Sequence, residues 1–319
     1  MGKFQVLIAD NISPKCQELF GDDFHVVSEN LRGQELLDRI GEFDGLIVRS
    51  GCKVTKEVFA KAKKLKVVVR AGVGVDNIDI EAATENSTQV MNTPNGNTNA
   101  AAEHTIGLIF ALSRNIVVAD RAAKSGRWRS KELQGVELSG KTLGVIGLGR
   151  VGRSVSQKAK GIGMKVLGYD PLIPESVDLE TIFKESDYIT VHVPLLPSTK
   201  GLINIKNIVK MKKNVRIINC ARGGVIDEED LILAIQQRWI AGAALDVFEV
   251  EPLIKNHPLN QFNNVILTPH LGASTAEAQI AVGVMAGEQV IGFLKEDKVV
   301  SGINKLEITK INLSETLGE

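Results

Sequence analysis

Gly144-Val145-Ile146-Gly147-Leu148-Gly149-Arg150-Val151-Gly152 carries the pattern GxGxxG at Gly147, Gly149 and Gly152. An apolar run, Thr142–Ile146, leads into it and a helical segment, Val151–Gly161, leads out. A second apolar run, Lys165–Tyr169, ends at Asp170, 18 positions after Gly152. Strand, glycine turn, helix and strand-end acid together make the context in which this motif binds a dinucleotide. Gly147 permits the tight turn, Gly149 lets the backbone approach the pyrophosphate, and Gly152 lets helix and strand pack closely. The helix start offers amides and a partial positive charge to the phosphates. Asp170 is placed to accept hydrogen bonds from the adenosine ribose. Its charge repels a 2′-phosphate, and Pro171 follows it where an Arg would favour NADP. The expected cofactor is NAD.

Outward from this loop, strand-like runs continue at Tyr188–Val193, Val215–Asn219, Gly242–Val247 and Val265–Leu267. With the two at the motif they make six, enough for a complete dinucleotide-binding sheet. Before the motif, Val6–Ala9, Gly45–Val48, Val67–Arg70 and Gln89–Met91 alternate with helical segments Pro14–Phe20, Gly33–Ile40 and Lys56–Lys64. That alternation means βαβ units and a second parallel sheet. Thr98–Arg121 reads as one long, largely apolar helix capped by Asn97 or Thr98 and buried between two bodies. A last helix is expected over Thr275–Phe293. The fold expected is α/β, with two Rossmann-like doubly wound parallel-sheet domains. Residues 95–282 form the nucleotide domain, inserted in a discontinuous substrate domain of residues 1–94 and 283–319.

In an open parallel sheet, ligands bind beyond the carboxyl ends of the strands. Three of the later runs deliver reactive side chains there. Val215–Asn219 leads to Cys220-Ala221-Arg222-Gly223-Gly224, Gly242–Val247 to Phe248-Glu249-Val250-Glu251-Pro252, and Val265–Leu267 to Thr268-Pro269-His270-Leu271-Gly272. Oxidising a 2-hydroxy acid needs a base for the hydroxyl proton, and an imidazole suits that task near neutrality. It needs a cation to orient the carboxylate, for which the forked guanidinium is apt. A carboxylate beside the imidazole fixes its tautomer, and at this stage either Glu249 or Glu251 fits. His25, His104, His192 and His257 are read as structural.

The composition agrees with a globular catalyst. Of 319 residues 44% are hydrophobic and 24% charged, and Lys plus Arg equals Asp plus Glu. A nucleic-acid binder usually shows a basic excess, so no nucleic-acid partner is expected. Three scattered cysteines, Cys16, Cys52 and Cys220, form no disulfide framework. No metal site, membrane span or signal peptide is expected, and the expected compartment is the cytoplasm.

The ordered motifs resemble the D-isomer-specific 2-hydroxyacid dehydrogenases, from about Val6 to Asn304. They are Arg70-Ala71-Gly72-Val73-Gly74-Val75-Asp76-Asn77, Met91-Asn92-Thr93-Pro94-Asn95-Gly96-Asn97, the Gly147 loop, Val193-Pro194-Leu195-Leu196-Pro197-Ser198-Thr199, Asn219 to Gly224, Ala244-Leu245-Asp246-Val247-Phe248 and Pro269 to Thr275. The resemblance implies a catalytic set of Arg222, Glu251 (the acid directly before Pro252) and His270. It implies cofactor contacts from the Arg150 and Val151 backbone, Asp170, Thr199, Cys220, Ala221, Asp246 and Gly272. Val73 stands beside the cofactor where relatives often have Thr, so one hydroxyl contact is absent. Members acting on D-3-phosphoglycerate use positions matched by Arg49 and Arg70 for the substrate phosphate. Gly72 and Asn97 lie in the same substrate-binding motifs, and Arg129 or Lys131 can add charge. The resemblance further implies a homodimer or homotetramer with Thr98–Arg121 near the subunit contact. It also implies a short form without a C-terminal serine-sensing domain, hence no serine inhibition through one. Two alternatives stay open: a hydroxypyruvate, glyoxylate or D-lactate reductase, and an NAD(H)-sensing corepressor-like protein.

Overall fold

The structure, a computed structural model, describes residues 2–128 and 131–306. Two compact units result, one of Met1–Gly96 together with the segment from Ala276 onward, the other of Asn97–Thr275.

The first unit begins with β1 (Phe4–Ile8), α1 (Pro14–Gln17), β2 (Phe24–Ser28), α2 (Gly33–Arg39), β3 (Gly45–Val48), α3 (Lys56–Lys61), β4 (Val67–Arg70), α4 (Ile80–Glu85) and β5 (Gln89–Asn92). Its five strands are all parallel, in the order β2-β1-β3-β4-β5. The order reverses between β1 and β3, the switch point at which such sheets take ligands. Alternate side chains feed two cores. Leu7, Leu46, Val48 and Val68 face one layer of helices, and Val6, Ile8, Ile47 and Val69 face the other. β2 and α4 were not expected from the sequence. β2 is an edge strand of mixed burial, too weakly apolar to stand out. α4 is a short helix held by Asp79, whose side chain accepts the Ala82 amide.

The second unit contains α5 (Thr98–Ser113), α6 (Ile116–Lys124), β6 (Thr142–Ile146), α7 (Arg150–Gly161), β7 (Lys165–Tyr169), α8 (Leu179–Glu185), β8 (Tyr188–Val191), α9 (Ile205–Ile208), β9 (Arg216–Asn219), α10 (Glu228–Gln236), β10 (Gly242–Leu245) and β11 (Val265–Leu267). Its six parallel strands run β11-β10-β9-β8-β6-β7, so the switch point lies between β6 and β8, where the glycine loop emerges. Both faces are covered, one through Ile189, Ile217 and Leu245, the other through Leu143, Val145 and Ile218.

The single helix expected over Thr98–Arg121 is two helices. Asn115 takes a left-handed conformation with φ 52° and separates α5 from α6. The reason is tertiary. Residues 135 and 136 fold against the end of α5, where the Val136 amide donates to the Ser113 carbonyl at 2.8 Å. A Cβ on Gly135 would lie 2.6 Å from that carbonyl oxygen, so only glycine allows the approach. The Ser113 hydroxyl meets the Tyr188 hydroxyl at 2.8 Å in the core.

α11 (Ala276–Glu296) returns to the first unit. Its Val282, Ala286, Val290 and Leu294 pack on Val6, Ile47, Val67 and Met91. The boundary expected at 282/283 falls inside this helix, which is one continuous apolar ridge and stays whole with the sheet it covers. Past it, the Asn304 side chain accepts the Val90 amide at 2.8 Å and donates to the Thr88 carbonyl at 2.9 Å, pinning the segment to β5.

Candidate active site

β6 ends in the glycine loop, and each glycine has its own constraint. Gly147 has φ 94°, and its Cβ position lies 2.6 Å from the His192 carbonyl oxygen. Gly152 sits in α7 with its Cβ position 1.9 Å from the Gly147 oxygen, so helix and turn touch through bare backbone. Around the Gly149 Cβ position nothing lies within 4 Å. Gly149 is also the N-cap of α7 and brings no side-chain acceptor to the first-turn amides. Exposed backbone at a helix start, with free amides, fits a pyrophosphate. Arg150 opens the helix at the surface and Val151 is half-buried beside it. Asp170, at the end of β7, accepts the Leu148 amide at 2.8 Å through Oδ2 and the Leu172 amide at 3.0 Å through Oδ1. It therefore staples the loop and keeps lone pairs for ribose hydroxyls. The residues present thus fit a dinucleotide.

At the other strand ends, β9, β10 and β11 are adjacent and parallel, so their loops leave the same sheet edge. His270 Nδ1 meets Glu251 Oε2 at 2.8 Å, with both side chains partly exposed. Burial works against the charge of Glu251, but the His270 imidazole and the Phe248 amide outweigh it and hold the carboxyl below the usual range. The Glu249 side chain is turned elsewhere, its Oε1 accepting the Glu228 amide at 3.4 Å. Glu251 is therefore the acid that meets the imidazole. Arg222 is held by a loop in which the Asn219 side chain accepts the Ala221 amide and donates to the Arg222 carbonyl at 2.8 Å. The following Gly223 lies against the β10 loop, its Cβ position 1.8 Å from the Phe248 carbonyl oxygen.

The NAD binding domain model of the D-isomer specific 2-hydroxyacid dehydrogenases matches residues 106–272. This chain belongs to that family. D-3-phosphoglycerate dehydrogenase of Homo sapiens is 46% identical over 98% of this chain and 62% of its own length. The enzyme of that name from Methanocaldococcus jannaschii is 48% identical over 97% of this chain and 61% of its own. The chain thus spans about three fifths of the length of the curated relatives it matches. Among solved structures, NAD+-bound 3-phosphoglycerate dehydrogenase of Entamoeba histolytica aligns with TM-score 0.81 at 33% identity, over 96% of this chain and 100% of that one.

Within this D-2-hydroxyacid dehydrogenase frame, other expected cofactor residues serve as internal braces. The Thr199 hydroxyl accepts the Leu196 amide at 2.8 Å and shapes the loop after β8. Cys220 and Ala221 are half-buried at the end of β9, and burial pushes the Cys220 thiol up to about 12. Such a thiol is inert as a nucleophile. Gly272 is buried, with its amide on Asp246. Asp246 is buried entirely. Val73 is exposed and its carbonyl accepts the Asn92 side chain.

The arginines assigned to substrate belong to the first unit. Arg49, just past β3, donates from its guanidinium to the Asn11 carbonyl at 3.1 Å. Arg70 ends β4 and folds back over Gly72. A Cβ at Gly72 would lie 2.1 Å from its guanidinium, a contact the flexible arginine can relieve by moving, so it is the backbone, with φ 153°, that favours glycine there. Asn97 occupies the N-cap of α5 without a side-chain capping bond, and its buried Oδ1 has no partner among the described residues. Thr98 opens the helix. Lys131 lies in a short 3₁₀ turn, and Arg129 lies outside the described residues.

Residues not singled out from the sequence hold these loops. Buried Asp10 accepts the Arg49 amide at 2.7 Å and the Cys52 amide at 3.0 Å and pairs with Arg32. The Asn77 side chain donates to the Arg49 and Cys52 carbonyls. His192, beneath Gly147, shares a 3.0 Å hydrogen bond with Thr190, and burial lowers its pKa to about 4, so it stays neutral. Asp10 stands two residues past an apolar strand, with no partner nearby in sequence. Only its place after β1, at the switch point, marks it.

Proposed function

We propose that this chain oxidises D-3-phosphoglycerate to 3-phosphohydroxypyruvate in an NAD-dependent reaction. The observation that carries the reading is the 2.8 Å Glu251–His270 pair at the strand edge of an NAD binding domain. Bound NAD supplies a hydride acceptor. The chain's own residues supply the rest. Glu251 engages Nδ1 and leaves Nε2 of His270 to take the C2 hydroxyl proton. Arg222 holds the substrate carboxylate bidentately, and Arg49 and Arg70 hold the phosphate. In the reverse direction the protonated imidazole returns the proton, with Glu251 stabilising its charge.

The phosphorylated substrate is supported by similarity, over 97–98% of this chain, to enzymes bearing that name and by the two strand-end arginines. We place the protein in the cytoplasm as a homodimer or homotetramer. The apolar surface of α5 and α6, including Phe110 and Ile116, is the subunit contact. Among the described residues no helix is long and apolar enough to cross a membrane.

The test is NADH formation from D-3-phosphoglycerate and NAD with a product trap, repeated in Arg49→Ala. The expected result is turnover in the parent and a KM for phosphoglycerate raised roughly tenfold or more in the variant, about 1.4 kcal/mol or more of lost binding. Glyoxylate reduction should change little. Fast reduction of glyoxylate or hydroxypyruvate with no phosphoglycerate oxidation would overturn the substrate assignment and keep the hydride chemistry.

A further inference from the structure

His270 occupies left-handed backbone, with φ 55°. A side chain with a Cβ avoids that region, and a residue persists there only when its surroundings over-determine it. The surroundings here converge on one residue. The His270 amide donates to the Asp246 backbone carbonyl at 2.9 Å. The next two amides, Leu271 and Gly272, donate to Oδ1 and Oδ2 of the same Asp246, each at 2.8 Å. Three consecutive N–H groups of the turn therefore end on Asp246. Relaxing any of them would swing the imidazole away from Glu251.

The clamp works only if the Asp246 carboxylate stays ionised and in one rotamer, although it is fully buried. Burial works against its charge. His104, Thr268 and the Leu271 amide outweigh that and hold the carboxyl below its usual range. The Thr268 hydroxyl donates to Oδ1 at 2.5 Å. His104, from α5, sets its Nε2 3.1 Å from Asp246 Oδ1 and 3.2 Å from Thr268 Oγ1. Because the threonine proton is spent on Asp246, its lone pair and the carboxylate are both acceptors for one imidazole N–H. Two further titratable groups feel the carboxylate: Cys220, whose thiol burial keeps protonated, and Glu251 of the neighbouring loop, whose like charge opposes it.

We propose that His104 is a positioning residue. Its Nε2–H, shared between Asp246 and Thr268, locks the carboxylate that clamps the His270 turn. Through two intermediaries it governs the geometry of the base without being part of the reacting group. The proposal rests on His270 being that base, and it assigns Asp246 primarily to the turn.

The test compares His104→Leu, which removes the donor, with His104→Gln, which restores an N–H at similar reach. With NADH and 3-phosphohydroxypyruvate or glyoxylate, His104→Leu should lose roughly tenfold to a hundredfold in kcat, the scale of a misplacement near 1 Å. Its NADH affinity, read by fluorescence, should stay within about twofold, and His104→Gln should recover most of the rate. The second readout is the low-field proton resonance of His270 Nδ1–H on Glu251, assigned by its loss in His270→Gln. It should shift or broaden in His104→Leu and return in His104→Gln. Parental kcat and a parental resonance in His104→Leu would overturn the proposal. So would equal losses in both variants that track only a lower Tm. The resonance needs no substrate, so a protein inactive on both acids would refute the proposed reaction while the clamp is still decided.

Discussion

Changing the three glycines of the nucleotide loop to alanine, one at a time, should separate folding from binding. At Gly152 the added Cβ would lie 1.9 Å from the Gly147 oxygen, where a normal C···O contact is about 3.3 Å. Helix and turn must part by about 1.4 Å, and neither atom belongs to a side chain that can rotate away. Overpacking of this kind costs about 1–3 kcal/mol. For a unit the size of Asn97–Thr275, 3 kcal/mol is roughly 6–12 °C in Tm. Gly147→Ala meets a 2.6 Å contact and φ of 94°, adding about 1–2 kcal/mol for the left-handed backbone. Gly149→Ala is different. Its φ is −65° and its Cβ would meet nothing within 4 Å, so stability should hold within about 1 kcal/mol. That open space is where a phosphate must approach the backbone, and the NADH Kd should rise roughly tenfold or more. Thermal unfolding and NADH fluorescence titration read the two effects separately. Parental NADH affinity in Gly149→Ala, or a Tm that falls as far there as in Gly152→Ala, would refute the reasoning.

Three further outcomes follow from the catalytic loops. Gly223→Ala drives a Cβ to 1.8 Å from the Phe248 oxygen and must separate the Arg222 and Glu251 loops; kcat/KM should fall on the order of 10²-fold with NADH affinity near parental, by steady-state kinetics and titration. Glu251→Gln keeps shape but removes the charge on His270, and should lower kcat on the order of 10²-fold while Tm, measured by calorimetry, changes little, because the pair is partly exposed. Asp246 has a folded pKa held below its unfolded value, so its contribution to stability is fully present above about pH 4 and is lost as pH falls through the lower folded value. The Tm difference between parent and Asp246→Asn should accordingly be largest near neutrality and shrink on acidification toward pH 3; a difference that grows on acidification would contradict the assigned charge.

What the sequence by itself determined was everything carried by contiguous residues. The glycine loop announces itself because each glycine answers to backbone a few positions away, and strand, turn and helix follow in order. Arg222, His270 and an acid of the Phe248–Pro252 loop were legible as candidates because each stands just past an apolar run, and parallel strands bring such ends to one edge. The choice between Glu249 and Glu251 was not legible from spacing, since two residues apart in a loop says nothing of direction. Only the fold turns one to His270 and the other to the Glu228 amide. The break between α5 and α6 was hidden because its cause lies some twenty residues on, where Gly135 and Val136 capture the Ser113 carbonyl. The brace of His104, Asp246 and Thr268, and the Asp10 contacts that shape the Arg49 loop, join residues of separate elements whose neighbours carry no trace of the pairing. Local pattern specifies which backbone can turn and which strand ends carry chemistry. Buried polar partners are specified by who arrives beside them, and that is decided only when the sheets and helices pack.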